Sequence, residues 1–386
     1  MSKFQIITLA IFVVAIVAGV IGFATYKGSS TASQYPPITI WGTFPADTFN
    51  AYVANINNSL SNPLQVTYVE KSPDTFEHEF VNALATGHGP DAILISSDMI
   101  LPNENKIMPI PYSALSERSF MDNYVQEADL YLGANGIWAV PLSIDPLVMY
   151  WNRDMFNAAG VSTYPRYWDE FANLNSKLTV RDQNSNIRAS AVAMGTLANI
   201  TNGRELLGSL ILQTGNPVTM PDSTGAVVSA LSSARGTPTQ ALDFYSQFAD
   251  PTSNNYSWNR ALPADKVAFL SGTLATYFGF ASELADIRAK NPNLNFDVAP
   301  LPQVRSGGTA SSYARMYGFS VVRASANQNA AYQAIAVMSS AAYLPSLAQV
   351  MYLPTVMNAL DQNSADPYIE NFDKAALISR GWLDAD

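Results

Sequence analysis

Asp145 is the one acidic residue in a long apolar stretch, residues 136–151, which also holds a single serine, Ser143. A carboxylate buried without a partner costs so much free energy that it takes up a proton instead of staying charged. An ionised carboxylate, in contrast, accepts strong charge-assisted hydrogen bonds from the hydroxyl groups of a polyol. The stretch therefore predicts that Asp145 either has a structural partner, such as Arg153 or Arg315, or faces a ligand that binds and leaves.

Other residue types that carry chemistry are scarce. The chain has no cysteine, and its two histidines, His78 and His88, do not have the spacing of a helical zinc pair. It lacks the phosphate loop GxxxxGK, the nucleophile elbow GxSxG and the zinc motif HExxH. We therefore expect no cofactor, no metal and no hydrolytic machinery, although counting acids does not exclude a glycosidase with two carboxylates.

The first hundred residues predict alternating strands and helices. Residues 38–41 and 64–70 alternate as strands do, and 92–95 form a short apolar run typical of a strand covered on both faces. Apolar residues recur at helical spacing in 46–60 and 74–87. This order predicts an α/β fold with a mostly parallel sheet flanked by helices.

Polar residues follow the first and third predicted strands. In open parallel sheets ligands bind beyond the carboxyl ends of the strands. Residues 42–45 and the segment from Ser96 to Asp98 are therefore expected at one shared edge. Asp98 has a second interpretation, as the cap of a helix that follows its strand.

Composition limits the class of protein. The 386 residues are enough for two domains, and a hydrophobic fraction of 48% is enough for sizeable cores. The net charge of −10 and the absence of lysine or arginine runs argue against a nucleic-acid partner.

The N-terminus predicts a membrane anchor. Residues 4–26 carry no charge and lie between Lys3 and Lys27, and they exceed the roughly 20 residues that cross a bilayer as a helix. A cleaved signal peptide is the alternative, with a small-residue cleavage site at 22–24. Either interpretation puts the body, after a flexible linker at 28–37, at the outer face of a membrane.

Several segments resemble a known family. Residues 136–141 read GIWAVP, residues 151–154 read WNRD, and residues 159–170 contain Ala-Gly, a proline and Trp-Asp-Glu. Residues 268–280, AFLSGTLATYFGF, and 295–302, NFDVAPLP, follow in the same order. Together they resemble the extracellular solute-binding proteins of ABC importers, in the sugar-binding, maltose-binding-protein-like group.

The resemblance implies a two-lobed periplasmic-binding-protein-like fold of type II, each lobe a mostly parallel sheet flanked by helices. It implies an N-lobe of residues 38–144 plus 318–344 and a C-lobe of 145–317 plus 345–386, after an anchor at 1–27. It also implies a monomer that captures a small polar ligand, a carbohydrate, by hinge closure and delivers it to an ABC permease without catalysis.

The resemblance places ligand contacts at Thr43, Phe44, Ser96 and Asp98, and puts Asp145 where the family has a carboxylate that faces the sugar. A sugar stacks its apolar face on an aromatic ring. The rings expected to line the cleft are Tyr277, Phe280 and Tyr317, with Trp41, Trp138 and Tyr313 as further candidates. Where the family usually carries a stacking tryptophan, this chain has Ser282, so we expect a differently lined cleft.

Other functions stay open at this level. The same fold could serve a sensory or adhesion ectodomain without transport, or an extracytoplasmic carbohydrate-active enzyme. Among binding proteins, a polyamine or a peptide ligand is a further alternative, although a cationic ligand needs several converging acids.

Overall fold

The computed structural model describes most of the chain, namely residues 36–223, 226–232, 238–305, 308–358 and 367–384. Within these ranges no helix is long and apolar enough to cross a membrane. The predicted anchor at 1–27, and all but the end of the predicted linker, lie outside them.

The described residues alternate between strands and helices. The strands are β1 Ile38–Gly42, β2 Val66–Glu70, β3 Ala92–Ser96, β4 Ile107–Met108, β5 Leu132–Gly133, β6 Gly136–Ile137, β7 Val140–Asn152, β8 Val180–Arg181, β9 Ile187–Val192, β10 Thr219–Pro221, β11 Val227–Ser229, β12 Leu274–Phe280, β13 Phe296–Pro300 and β14 Ala314–Val322. The α-helices are α1 Ala46–Ser59, α2 Phe76–Ala85, α3 Ile100–Asn103, α4 Glu117–Asn123, α5 Arg153–Ala158, α6 Phe171–Leu178, α7 Gly203–Gln213, α8 Pro238–Ser246, α9 Asp265–Leu270, α10 Leu284–Lys290, α11 Gln328–Met338, α12 Leu344–Met351 and α13 Pro367–Leu377.

Local signals in the sequence set several of these elements. The apolar stripe of α1 buries Phe49 and Ile56, as its helical spacing predicts. Asn152 caps α5, because its side chain accepts a hydrogen bond from Met155 N at 3.0 Å. Gly160 takes a φ of +66°, the left-handed conformation that commonly follows a helix. The predicted β-α-β-α-β order of the first hundred residues is confirmed.

Ten strands of the described residues form one mixed sheet, in the order β2-β1-β3-β14-β7-β12-β9-β8, with β13 also on β7 and β4 on β14. β1, β2 and β3 are parallel, whereas β14 runs antiparallel to both β3 and β7. As predicted, parallel strands lie in both halves, since β1, β2 and β3 are parallel beside the first core and β12 is parallel to β9 beside the second. The halves share one sheet because β7 is long enough to pair with β14 on one side and with β12 and β13 on the other.

The hydrophobic core is divided in two. β1, β3 and α11 contribute to the first core, and β9, β12 and α6 contribute to the second. β7 passes between them, because Ile144 packs in the first core and Leu147 in the second. The chain crosses again directly before β14, because Tyr313 packs in the second core and Ala314, the first residue of β14, packs in the first. The two passages lie side by side, since Ala314 pairs with Pro146.

We call each core with its covering helices a lobe. Late in the chain the two cores alternate, because Leu347 packs in the first core, Leu353 in the second, Val356 in the first and Phe372 in the second. The exact lobe boundaries, including the one predicted at residue 345, stay predictions.

Residues 379–384, which we call the C-terminal strap, contact both lobes. Gly381 lies against Glu127 of the first lobe, close enough that a Cβ at this position would meet its carboxylate. Trp382 packs in the second core with its ring 4.6 Å from that of Tyr313. The strap lies close against α7, because a Cβ at Gly208 would come within 2.3 Å of the Trp382 ring.

Candidate functional site

Strand pairing brings the predicted polar residues together where β7 passes between the cores beside β14. Tyr317 pairs with Ser96 on one side and with Ser143 on the other. Two residues along β14, Arg315 pairs with Asp145. The register then shifts between Tyr317 and Gly318, so the strands are irregular at this point.

The first lobe contributes the segments that follow β1 and β3. The ring of Phe44 meets the ring of Tyr317 edge to face, with centroids 4.8 Å apart. The hydroxyl of Ser96 donates a hydrogen bond to Asp98, and Thr43 is half-buried beside Phe44. The structure thus brings these two segments to one edge, as their positions after neighbouring strands predict.

Asp145 is buried at the passage between the lobes, with 2% of its surface exposed. Its Oδ1 accepts a hydrogen bond from Ser282 N at 2.9 Å, and its Oδ2 accepts one from Ser282 Oγ at 2.6 Å. Burial raises the pKa of this carboxyl to about 6, against the opposing effects of the two hydrogen bonds and of nearby Arg315. Of the two alternatives for Asp145, the structure provides a partner, while a ligand contact stays a prediction.

The second lobe reaches the site through Phe280 and Glu205. The guanidinium of Arg315 lies over the Phe280 ring, 4.1 Å from its centroid. Its Nη2 is 3.2 Å from Oε1 of Glu205, which stands in the first turns of α7. Arg315 therefore joins a crossing strand to two residues of the second lobe.

Tyr277 is placed differently from the other predicted residues. It is fully buried in the second core, and its hydroxyl donates to Oε2 of Glu283 at 2.7 Å. Lys266 forms an ion pair with the same carboxylate at 2.7 Å. Burial and the charge of Glu283 raise the pKa of the Tyr277 phenol. The structure brings Phe44, Ser96, Asp98, Asp145, Phe280 and Tyr317 together, but not Tyr277.

Two residues of the site had no specific signal in the sequence. Glu205 lies near the start of a helix, where an acidic residue is ordinary because of the helix dipole. The sequence indicates Arg315 only as a partner for Asp145, whereas its guanidinium also lies over the Phe280 ring. Among the residues that the structure describes, no cluster of three or more acidic residues or histidines could hold a metal ion, and both histidines are exposed.

Comparison with known proteins gives one family and many similar structures. The family model for bacterial extracellular solute-binding proteins matches residues 45–344. No curated protein is matched.

Three solved structures illustrate the likeness. A cyclo/maltodextrin-binding protein in complex with maltotetraose has a TM-score of 0.70 at 15% identity, covering 91% of this chain and 87% of that one. The cyclic alpha-maltosyl-1,6-maltose binding protein of Arthrobacter globiformis has a TM-score of 0.72 at 14% identity, covering 90% and 88%. The maltose-maltodextrin binding protein of Alicyclobacillus acidocaldarius has a TM-score of 0.66 at 16% identity, covering 90% of each chain. At such identities the likeness concerns the fold, and it confirms a two-lobed α/β architecture.

Proposed function

Because the chain belongs to the bacterial extracellular solute-binding proteins, we propose that it captures a small saccharide between its two lobes and delivers it to an ABC permease. The observation that carries this proposal is the position of two charged residues, Asp145 and Arg315, between the two cores. Asp145 and Arg315 pair where β7 passes from the first hydrophobic core to the second, next to the step from Tyr313 to Ala314 at the start of β14. A ligand held there contacts both lobes.

Hinge closure is the mechanism that this position supports. A ligand that touches both lobes binds the closed arrangement more tightly than the open one, so it shifts the population toward closure. The irregular pairing between Tyr317 and Gly318 lies beside the passage. Because a bulge lets a strand bend locally, this irregularity supports bending of the two strands close to the passage.

The chemistry of the site suits a saccharide. Carboxylates at Asp98 and Glu205 can accept hydrogen bonds from sugar hydroxyls, and charge-assisted bonds of this kind are stronger than neutral ones. Phe44, Phe280 and Tyr317 supply rings for the apolar face of a sugar. The solved neighbours named above are described as binding maltodextrins, maltose or cyclic alpha-maltosyl-1,6-maltose, which supports the same ligand class. The proposed ligand contacts are Thr43, Phe44, Ser96, Asp98, Asp145, Phe280 and Tyr317, whereas the buried Tyr277 is left out.

We extend the proposal to the location of the protein. Residues 4–26 anchor the chain in the cell membrane with a single span, and the body faces the extracytoplasmic side as a monomer. There it acts as a binding protein rather than a catalyst, and the permease recognises the closed arrangement of its lobes.

A thermal-shift measurement tests the proposal. A ligand that binds only the folded chain raises its melting temperature, by an amount that grows with concentration. We expect maltotetraose or mannobiose to raise the melting temperature of the purified chain, whereas glutamate and spermidine do not.

Asp98→Asn should reduce this shift, because the variant keeps the size of the side chain but loses the charge that strengthens hydrogen bonds from hydroxyls. Asp243→Asn, an exposed position on α8, is the matched control and should leave the shift unchanged. A shift with spermidine alone would contradict saccharide capture.

A further inference from the structure

Arg315 lies between an aromatic ring and the solvent. The Phe280 ring beneath it is 2% exposed, whereas 33% of the Arg315 side chain is exposed. The guanidinium lies 4.1 Å from the centroid of the ring. It therefore covers the ring face on which a sugar could stack.

The same guanidinium also binds the carboxylate of Glu205. The contact is a single one, from Nη2 to Oε1 at 3.2 Å, whereas an arginine that binds a carboxylate most strongly uses two parallel hydrogen bonds. The Glu205 side chain is 11% exposed. Both the ring and the carboxylate would thus become available together if Arg315 moved.

We propose that Arg315 is a gate on a saccharide subsite formed by Phe280 and Glu205, and that a sugar binds this subsite by displacing the guanidinium. The inference rests on the proposed function and deepens it. A ring that stacks on the apolar face of a sugar, together with a carboxylate that accepts from its hydroxyls, is a complete recognition unit.

After displacement from Glu205, the positive charge of Arg315 still has favourable electrostatic partners. Asp145 stands opposite it in the strand pairing and lowers the energy of its positive charge. The phenol of Tyr317, on the same strand, also interacts with it. The guanidinium can therefore leave Glu205 without losing every favourable electrostatic contact.

The gate also implies a ligand class. Once Arg315 has moved, the carboxylate of Glu205 faces the ligand. A saccharide that carries a carboxylate of its own would meet a like charge, which disfavours its ionised form. The subsite therefore selects neutral saccharides over uronic-acid saccharides.

The first experiment measures directly how far Arg315 shields the Phe280 ring from solvent, and it needs no ligand. Phe280 is replaced by 4-fluorophenylalanine, and the fluorine shift is compared in H2O and D2O, since an exposed fluorine responds to the solvent isotope. We expect a small response in the parent chain and a clearly larger one after Arg315→Ala. Arg118→Ala is the matched control, because Arg118 on α4 has a 92% exposed side chain. Arg315→Gln provides a second variant if Arg315→Ala fails to fold. An unchanged response in a folded Arg315 variant overturns the inference.

The second experiment measures, by calorimetry, the affinity of each chain for maltotetraose and for digalacturonate, whose carboxylates are ionised at neutral pH. We expect Arg315→Ala to bind maltotetraose about tenfold more tightly than the parent chain, with the control unchanged and digalacturonate weaker than maltotetraose in every chain. If the parent binds maltotetraose and Arg315→Ala binds it equally or more weakly, the gate is refuted and the proposed function stands. If neither chain binds any saccharide, the proposed function itself is refuted, and the gate with it.

Discussion

Ser282 donates both hydrogen bonds that Asp145 accepts, one from its backbone N–H and one from its hydroxyl. Ser282 lies in the short 3-10 helix Ala281–Glu283, directly after β12. Asp145 therefore fixes the start of this turn, which places Glu283 beside Tyr277. A carboxylate that satisfies a backbone N–H at a helix start stabilises the fold. This explains in physical terms how an acid can stand within an apolar strand.

Replacing Asp145 by asparagine should change how stability depends on pH. Burial raises the pKa of this carboxyl to about 6, whereas an unfolded aspartate titrates near 4. The folded chain thus binds the proton more tightly than the unfolded chain. This tighter binding adds about 3 kcal/mol to the free energy of unfolding below about pH 4. The added stability is lost as the pH rises from about 4 to about 6.

Urea unfolding of the parent and of Asp145→Asn at pH 4, 5, 6 and 7 measures this difference. The parent should lose stability relative to the variant between pH 4 and 6, and the difference should level off above. Burial also raises the pKa of Asp373, to about 7. Because this group is present in both chains, its effect cancels in the difference between their unfolding free energies. A difference that stays constant with pH would show that Asp145 is not the titrating group.

At the level of elements, the sequence predicts what local patterns encode. Alternation of apolar residues indicates β1 and β2, and a helical stripe indicates α1. The place of β14 in the sheet had no such signal, because its partners Ile93 and Ser143 are far away in the sequence. Pairing of this kind depends on which strand edges remain free once the local elements have formed.

The aromatic residues of β12 show why the site was only partly predictable. Every residue from Leu274 to Phe280 is buried, so no alternation of polarity tells which face meets the cleft. Successive side chains of a strand point to opposite faces, and Tyr277 and Phe280 are three positions apart. They therefore face opposite sides of the sheet, and only Phe280 meets Arg315. Similarly, the apolar run singles out Asp145, but nothing local to it indicates Ser282.

Removing the cap of α5 should cost measurable stability. The side chain of Asn152 accepts a hydrogen bond from Met155 N, one of the N–H groups that a helix start leaves without an internal partner. Asn152→Ala should lower the free energy of unfolding by about 1 kcal/mol. Chemical denaturation measures the change. Asn157→Ala, on an exposed position of the same helix, is the control and should stay within about 0.5 kcal/mol of the parent. Equal effects at the two positions would argue against a capping role.

At the scale of the whole molecule, the C-terminal strap ties the lobes together. Gly381 passes so close to Glu127 that a Cβ there would lie 2.2 Å from Oε1 of this carboxylate. On the other side, Thr219 donates a hydrogen bond to the backbone of Leu383 at 2.9 Å. The strap thus adds to the places where the chain passes between the cores, and it restricts how the lobes can turn.

Gly208→Ala tests the docking of the strap. Alanine is better than glycine in a helix by about 1 kcal/mol, but its Cβ would lie 2.3 Å from the Trp382 ring. We expect a net loss of about 1–3 kcal/mol, because overpacking forces the ring to move.

A double-mutant cycle with Trp382→Ala isolates this contact. In the Trp382→Ala background the clash is absent, so Gly208→Ala should become neutral or stabilising. Urea unfolding of the four chains gives the coupling free energy. The same cost in both backgrounds would mean that the loss arises within α7 and not at the strap.

The position of β14 in the middle of the sheet has a consequence for synthesis. The ribosome releases β3 and β7 long before residues 314–322, which lie between them in the finished sheet. Until that strand emerges, the nascent chain carries two open strand edges and apolar surface without cover. Such edges are sites of aggregation. We therefore expect an incomplete chain to bind chaperones until residues 314–322 have been synthesised and fill the gap in the sheet.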